Sequence, residues 1–332
     1  MSSADFSLDF PMLSPLCGGL ALSATFRERP DDFYVEENLG FTLSGDGEHC
    51  CLYIEKCGQN THWVAAELAR FVGVSERDVG VCGRKDRHAI TRQWFSVYDP
   101  ERSPVDWSAF AVEGVSILRV TRHHKKLRLG MHESNQFVIR LRDVESSSAV
   151  LGEGDKQAVL NGINDTLEGG IPNYFGVQRF GREAGNLRMA QQWLVDGKKP
   201  PRQQKGMVLS AARSYLFNQV LAARVTANNW QAPLDGDVLI DGLPSGPLWG
   251  RGRLASQGSV LDIEQQVLLP FTAWCERLEH QGLKQERRSL VLLPRQVAVQ
   301  WEDEDLVLAF TLPVGTFATA VLTEISQLKL AA

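Results

Sequence analysis

Val79-Gly80-Val81-Cys82-Gly83-Arg84-Lys85-Asp86-Arg87-His88-Ala89-Ile90-Thr91-Arg92-Gln93-Trp94-Phe95-Ser96-Val97-Tyr98 changes character twice along its length. Val79 to Gly83 is a short apolar run of the kind that forms a buried strand, Arg84 to His88 is a polar loop, and Thr91 to Tyr98, with Trp94, Phe95 and Val97, is strand again. Strand, loop, strand places Asp86 at a loop tip. Arg84, Lys85 and Arg87 surround that carboxylate, and opposite charges favour its ionised form. An anion among cations suits nucleophilic or general-base work on a polyanionic substrate. The same pattern would also serve as a solvated charged turn.

On the N-terminal side, Pro30 and Asp31-Asp32 signal a turn before a strand through Phe33-Tyr34-Val35-Glu36, and Cys51 to Ile54 reads as a second strand. Thr61 is the expected N-cap of an amphipathic helix carrying Trp63, Val64, Leu68 and Phe71 and closed by Gly73; Ser75-Glu76-Arg77-Asp78 resembles a small capping box. On the C-terminal side come a strand at Val115 to Leu118, a basic connector, and a strand from Gln136 to Leu141 in which Phe137, Ile139 and Leu141 alternate with Val138 and Arg140. So many neighbouring strands predict an antiparallel sheet backed by helices.

Gly152, Gly154, Gly169 and Gly170 mark a change to helical, loop-rich sequence. Helices are expected at Asn186 to Val195, Leu209 to Val225 and Pro270 to Glu279, with a break at Pro200-Pro201 and a Gly-, Pro- and Ser-rich stretch over 228–260. Strands at Gln296 to Trp301 and Leu306 to Phe310 then resume the pattern of the first half, as though an inserted domain interrupts a sheet that is completed afterwards. No internal repeat is present.

The 332 residues suffice for two cores, and 43% hydrophobic with 23% charged residues excludes a disordered or fibrous chain. A net charge of −5 argues against indiscriminate coating of nucleic acid, although a local basic strip on an acidic body still binds phosphate. No apolar run reaches the roughly 18 to 20 residues of a membrane span, and the start carries acids where a signal peptide is basic, so the expected location is the cytoplasm, with no membrane partner. Cys17, Cys50, Cys51, Cys57, Cys82 and Cys275 include no Cys-x-x-Cys pair, so no zinc is expected and the thiols are read as reduced and mostly buried. Walker, dinucleotide and Gly-x-Ser-x-Gly motifs are missing, which leaves nucleotide cofactors and serine hydrolysis without support.

Two further windows carry chemistry. Arg119-Val120-Thr121-Arg122-His123-His124-Lys125-Lys126-Leu127-Arg128 is the densest basic run, a phosphate-binding strip or a solvated edge, and Lys198, Lys199, Arg202 and Lys205 offer a second patch. Asn173-Tyr174-Phe175-Gly176-Val177-Gln178-Arg179-Phe180-Gly181 combines aromatics, amides, a guanidinium and glycines, a base-stacking surface or core packing.

With the Asp86 window, these stretches resemble the signatures of the TruD pseudouridine synthases: Gly83-x-Lys85-Asp86-Arg87-His88-Ala89-x-Thr91, Asn135-x-Phe137, and Asn173-Tyr174-Phe175-Gly176-x-Gln178-Arg179-Phe180-Gly181. The likeness extends to Arg27 to Glu37, Ser210 to Ser214 with Leu216-Phe217-Asn218, and Leu312-Pro313-x-Gly315-x-Phe317-Ala318-Thr319. It implies an α+β fold with a pseudouridine synthase-like mixed, largely antiparallel sheet with helices, interrupted by an inserted TRUD α/β domain. The expected parts are a catalytic domain over 1–169, an insertion over 170–297 forming one wall of an RNA-binding cleft, and completing strands over 298–332. The resemblance implies Asp86 as catalytic residue and Arg27, in the place of a more usual lysine, as its ion-pair partner. It implies Phe137 as the ring stacking on the flipped base and Asn135 as a support of the aspartate loop. RNA contacts are expected from Lys85, Arg87, His88, Arg122, Lys125, Lys126, Arg128, Asn173, Phe175, Gln178 and Arg179. The implied substrate is transfer RNA, at uridine 13 of the D-arm, for a monomer with no cofactor, no metal and no obligate protein partner. Another RNA substrate, a non-catalytic RNA chaperone on the same fold, and a protein-binding scaffold are the alternatives.

Overall fold

The computed structural model describes residues 5–13, 21–146 and 151–330; Cys17 lies outside them. Period-two alternation gives β1 (Leu22–Phe26), β2 (Phe33–Asn38) and β3 (His49–Cys57), then α1 (Thr61–Val72), β4 (Val79–Val81), β5 (Ile90–Tyr98), β6 (Val115–His123), β7 (Ser134–Ser146) and α2 (Glu153–Glu168). There follow β8 (Ile171–Pro172), α3 (Gly185–Leu194), α4 (Lys205–Thr226), β9 (Leu239–Ile240), β10 (Leu243–Leu248), α5 (Gly258–Leu268), α6 (Thr272–Glu279), β11 (Glu286–Ser289) and β12 (Val291–Leu292). The chain ends in β13 (Arg295–Glu302), β14 (Asp305–Pro313), α7 (Ala318–Ile325) and β15 (Gln327–Leu330).

Two compact units result. One comprises Leu16–Asp165, Pro294–Gly315 and Ile325–Ala332, the other Met1–Pro15, Thr166–Leu293 and Thr316–Glu324. The inserted segment therefore begins and ends a few residues before the expected 170–297. Met1–Pro15 and Thr316–Glu324, assigned from sequence to the catalytic part, cluster with the insertion instead. Aromatic packing explains it: Phe6 meets Tyr215 edge-on at 5.5 Å, Phe10 stacks on Tyr174 at 5.2 Å, and Phe317 meets Phe175 at 6.0 Å.

In the first unit the sheet runs β13-β14-β7-β2-β5-β3-β6, with β1 paired to β7 and β15, and β4 to β5. Most pairs are antiparallel, but β2 with β5 and β1 with β15 are parallel. Val64, Leu68 and Ala69 of α1 are buried in one cluster with Leu52, Ile54 and Phe95, and each large apolar side chain so buried contributes about 1.5–3 kcal/mol. Two expected caps are corrected. Thr61 lies inside α1, behind Asn60, because its hydroxyl is engaged elsewhere, and Ser75 makes no side-chain cap on the short turn at Glu76–Asp78. The basic connector is shorter than expected, since β6 continues through Arg119 and Arg122 to His123 as a sheet edge.

The second unit is built on α4, whose Leu216, Phe217, Val220 and Leu221 are buried with Trp230 and Trp274. Its strands form β11-β10-β9 and β12-β8. The Gly- and Pro-rich stretch thus holds two strands and the start of α5. Cys50, Cys51, Cys82 and Cys275 are buried free thiols and Cys57 is half-buried; burial pushes Cys51, Cys82 and Cys275 up to about 12. Among the described residues no helix is long and apolar enough to cross a membrane.

Candidate active site

The loop after β4 is held at both the side chain and the backbone of Asp86. Arg27, just beyond β1, donates from its guanidinium to Asp86 Oδ2 at 2.7 Å; His88 N–H donates to Oδ1 at 3.0 Å; Lys56 Nζ donates to the Asp86 carbonyl at 2.7 Å. Arg27 has φ 64°, a left-handed conformation that costs a non-glycine residue of order 1–3 kcal/mol and is found where a site over-determines the backbone. Its guanidinium lies 4.8 and 4.4 Å from the Phe26 and Phe33 ring centroids. The rest of the loop is tied down from below. Lys85 N–H donates to Thr61 Oγ1 at 2.9 Å, Thr61 donates to Gln93 Oε1 at 2.9 Å, and Gln93 Nε2 donates to Gly83 O at 3.0 Å. A Cβ at Gly83 would stand 2.9 Å from Lys85 Nζ and 3.0 Å from the His132 ring, so a side chain there would push on the lysine that pairs with Glu37.

The flanking cations act differently from their expected role. Lys85 turns inward to a buried ion pair with Glu37 at 2.7 Å, which removes it from the expected RNA contacts. Arg87 Nε donates to Gly58 O at 2.9 Å from an exposed position, and His88 is exposed. Lys56 was not singled out from sequence. It occupies the inward parity of β3, after Cys50, Leu52 and Ile54, and a lysine at an apolar position was the available signal. Burial pulls its ammonium down to about 8, opposed by the Asp86 charge and reinforced by Lys85.

Strand register aligns one row of side chains across the sheet. Lys56 pairs with Thr91, Thr91 with Val35, Val35 with Phe137, and Phe137 with Phe310. Phe137 is 8% exposed, stacked against Phe33 at 6.1 Å and Phe310 at 5.5 Å, so it packs the row as well as facing that side of the sheet. Asn135, two residues earlier on the same face, contacts His132 Nε2 at 3.2 Å through Nδ2 and pairs across the sheet with Glu37. Buried polar atoms normally find partners. Here Arg27 Nε, Thr91 Oγ1 and Asn135 Oδ1 are buried and unpartnered.

In the basic strip, Lys125 and Arg128 are exposed, whereas Arg122, expected from sequence to contact RNA, pairs with Asp99 at 3.0 Å and donates to Asp99 O and Gly47 O. Lys126 Nζ donates to Arg77 O. In the second unit, Asn173 is likewise structural, accepting from Arg288 and donating to Ser289 O at 2.8 Å. Phe175 is buried beneath Arg288 and Arg179, and Gln178 is exposed. Among the described residues no three His, Cys, Asp or Glu side chains gather as a metal site requires.

The model of the family tRNA pseudouridine synthase D (TruD) matches residues 18–200. The chain is 50% identical over 332 residues to the tRNA pseudouridine synthase D of Cellvibrio japonicus, covering 98% of this chain and 95% of that one. It is 38% identical to that of Hydrogenovibrio crunogenus, covering 93% and 94%. A crystal structure from Methanosarcina mazei described as a tRNA pseudouridine synthase D superposes with a TM-score of 0.65 at 20% identity, over 92% of this chain and 94% of that one, and shares its fold. By family model and by identity along nearly its whole length, this chain belongs to the TruD family of pseudouridine synthases.

Proposed function

We propose that this protein, in the cytoplasm, converts uridine to pseudouridine in transfer RNA, at position 13 of the D-arm, with Asp86 as the catalytic carboxylate. The observation that carries the reading is the set of unpartnered buried polar atoms, Arg27 Nε, Thr91 Oγ1 and Asn135 Oδ1, on the face where Asp86 is anchored. Buried polar atoms cost free energy while unpaired and recover it when they gain a polar partner. A flipped uracil nucleotide offers carbonyls, an N–H and ribose hydroxyls, and leaving the stack costs a few kcal/mol that contacts to the protein must repay.

The isomerisation breaks the bond from ribose C1′ to base N1, turns the uracil, and joins its C5 to C1′. It asks for a carboxylate at the ribose, either as nucleophile on C1′ or as base for the 2′ proton that yields a glycal. Asp86 is the group with the right chemistry, and Arg27 fixes one oxygen while leaving the side chain 32% exposed. Asn135 presents an amide to the base, and Phe137 closes the row beside it. Tritium release from uridine labelled at C5 in transfer RNA, with site mapping, tests the reading. Asp86→Asn should abolish release while costing under about 1 kcal/mol of stability, the usual value of a partly exposed pair. Turnover within tenfold of wild type would sink the assignment.

A further inference from the structure

Buried and half-buried arginines of the second unit differ in whether a carboxylate faces them. Arg224 is buried against Asp237 at 3.0 Å, and Arg287 against Glu264 at 2.6 Å. Each guanidinium taken from water there has its anion. Arg179 does not: among the described residues no carboxylate lies within ion-pair distance of it. Its Nη1 makes one long hydrogen bond to Ser210 Oγ at 3.3 Å, and its Nε is buried without a partner. Its guanidinium lies 5.4 and 5.5 Å from the Phe175 and Phe317 ring centroids. Arg288, anchored by Asn173, stands 4.1 Å over the same Phe175 ring. Burial lowers both guanidinium groups from their ordinary value, Arg288 to about 9 with the neighbouring Arg179 charge contributing. Thr319 Oγ1 is a further buried unpartnered atom; it and Gln178 Oε1 stand 3.1 and 2.9 Å from where a Gly176 Cβ would be, so a side chain at 176 would press on both.

We infer that Arg179, with the Arg288 charge behind it and the Ser210 hydroxyl beside it, is a receptor for one backbone phosphodiester of the bound RNA. A planar fork and a hydroxyl match tetrahedral phosphate oxygens, and the arriving anion supplies the charge that carboxylates supply to Arg224 and Arg287. The proposal rests on the RNA-modifying reading above and adds a phosphate site within the second unit.

The test uses the full chain as wild type, Arg179→Gln, Arg179→Lys and Ser210→Ala, titrated with unmodified transfer RNA transcript at several KCl concentrations. Arg179→Gln should weaken binding roughly ten- to a hundredfold and reduce the slope of log Kd against log salt by about 1, with an unchanged or raised melting temperature. Arg179→Lys should keep the slope and lose part of the affinity, and Ser210→Ala should keep the slope. An unchanged slope in Arg179→Gln, with a lower melting temperature, overturns the site and makes Arg179 a packing residue. Stabilisation of wild type alone by about 10 mM inorganic phosphate, with the RNA slope unaltered by Arg179→Gln, overturns the assignment to RNA in favour of free phosphate. Wild type that fails to bind the transcript at all overturns the parent reading instead.

Discussion

Lys56 sits where the alternation of β3 calls for an apolar side chain, and its ammonium is spent on the Asp86 carbonyl. Its pKa of about 8 lies below the ordinary 10.5, so between those values the unfolded chain binds more protons than the folded one. The contribution of this group to stability therefore grows as pH rises from about 8 towards 10.5. Its grip on the aspartate loop weakens over the same range, because a neutral amine is a poorer donor than an ammonium. Activity should fall through an alkaline limb near pH 8 while stability relative to Lys56→Met rises; the variant should lose the limb and turn over about tenfold more slowly at pH 7, a loss equivalent to one ordinary hydrogen bond. Pseudouridine formation and chemical denaturation on both proteins across pH 6 to about 10 decide it, and an identical pH profile in the variant makes Lys56 a spectator. The loop-tip position of Asp86 was legible because a polar run between two apolar strands is a local pattern, whereas the charge pattern alone also fits a solvated turn and its expected role came from the family resemblance. Lys56 was not legible, because its burial follows from how β3 lies between β5 and β6. Phe137 was legible as inward-facing, but its stacking on Phe33 and Phe310 depends on partners in β2 and β14.

At the scale of elements, the edge strand β6 and the loop after it divide the basic strip by function. Arg122 fastens the loops at Gly47 and Asp99, and Lys126 fastens the Arg77 turn, which leaves Lys125 and Arg128 as exposed cations in the loop and Arg119 as one on β6. Neutralising Lys125 and Arg128 together should lower the salt slope of RNA binding by about 2 without affecting the melting temperature. Arg122→Gln should do the reverse, costing about 1–3 kcal/mol of stability through lost charged hydrogen bonds while leaving the slope in place. Salt titrations beside thermal melts separate the cases, and a double variant with the wild-type slope would make the strip a solvated edge. Charge density in sequence located the strip, but which cations are free depended on loops distant in sequence. Strands and helices with clear periodicity were legible to within a few residues. The short strands among the prolines of 228–260 were not, since a two-residue strand such as β9 has no periodicity to read.

Across the whole chain, Glu324 joins the first described segment to the last helix: buried in α7, it accepts the Leu13 N–H at 2.9 Å. Burial raises its pKa from 4.5 to about 7, the Leu13 hydrogen bond opposing. The folded state holds this proton between those values and the unfolded state releases it, so stability falls as pH rises from about 4.5 to 7 and stays reduced above. Glu324→Gln should be more stable than wild type at pH 8 and equal to it near pH 4.5; a difference that does not change with pH would assign Glu324 a wholly uncharged role. The interrupted sheet was legible because strand patterns return after a helical stretch, but the attachment of the first residues to the inserted unit was not, since Phe6 and Phe10 have no periodic context. That interruption governs the order of events as the chain leaves the ribosome. The ion pair of Arg140 with Asp305 spans 165 residues, and Phe310 must reach the row beside Phe137 from equally far away. While the inserted unit is being synthesised, β7 waits with one long edge uncovered, an invitation to the wrong partner. A chain halted before β14 would carry Asp86 and its loop in full, yet present to its neighbours an adhesive strand in place of a closed sheet.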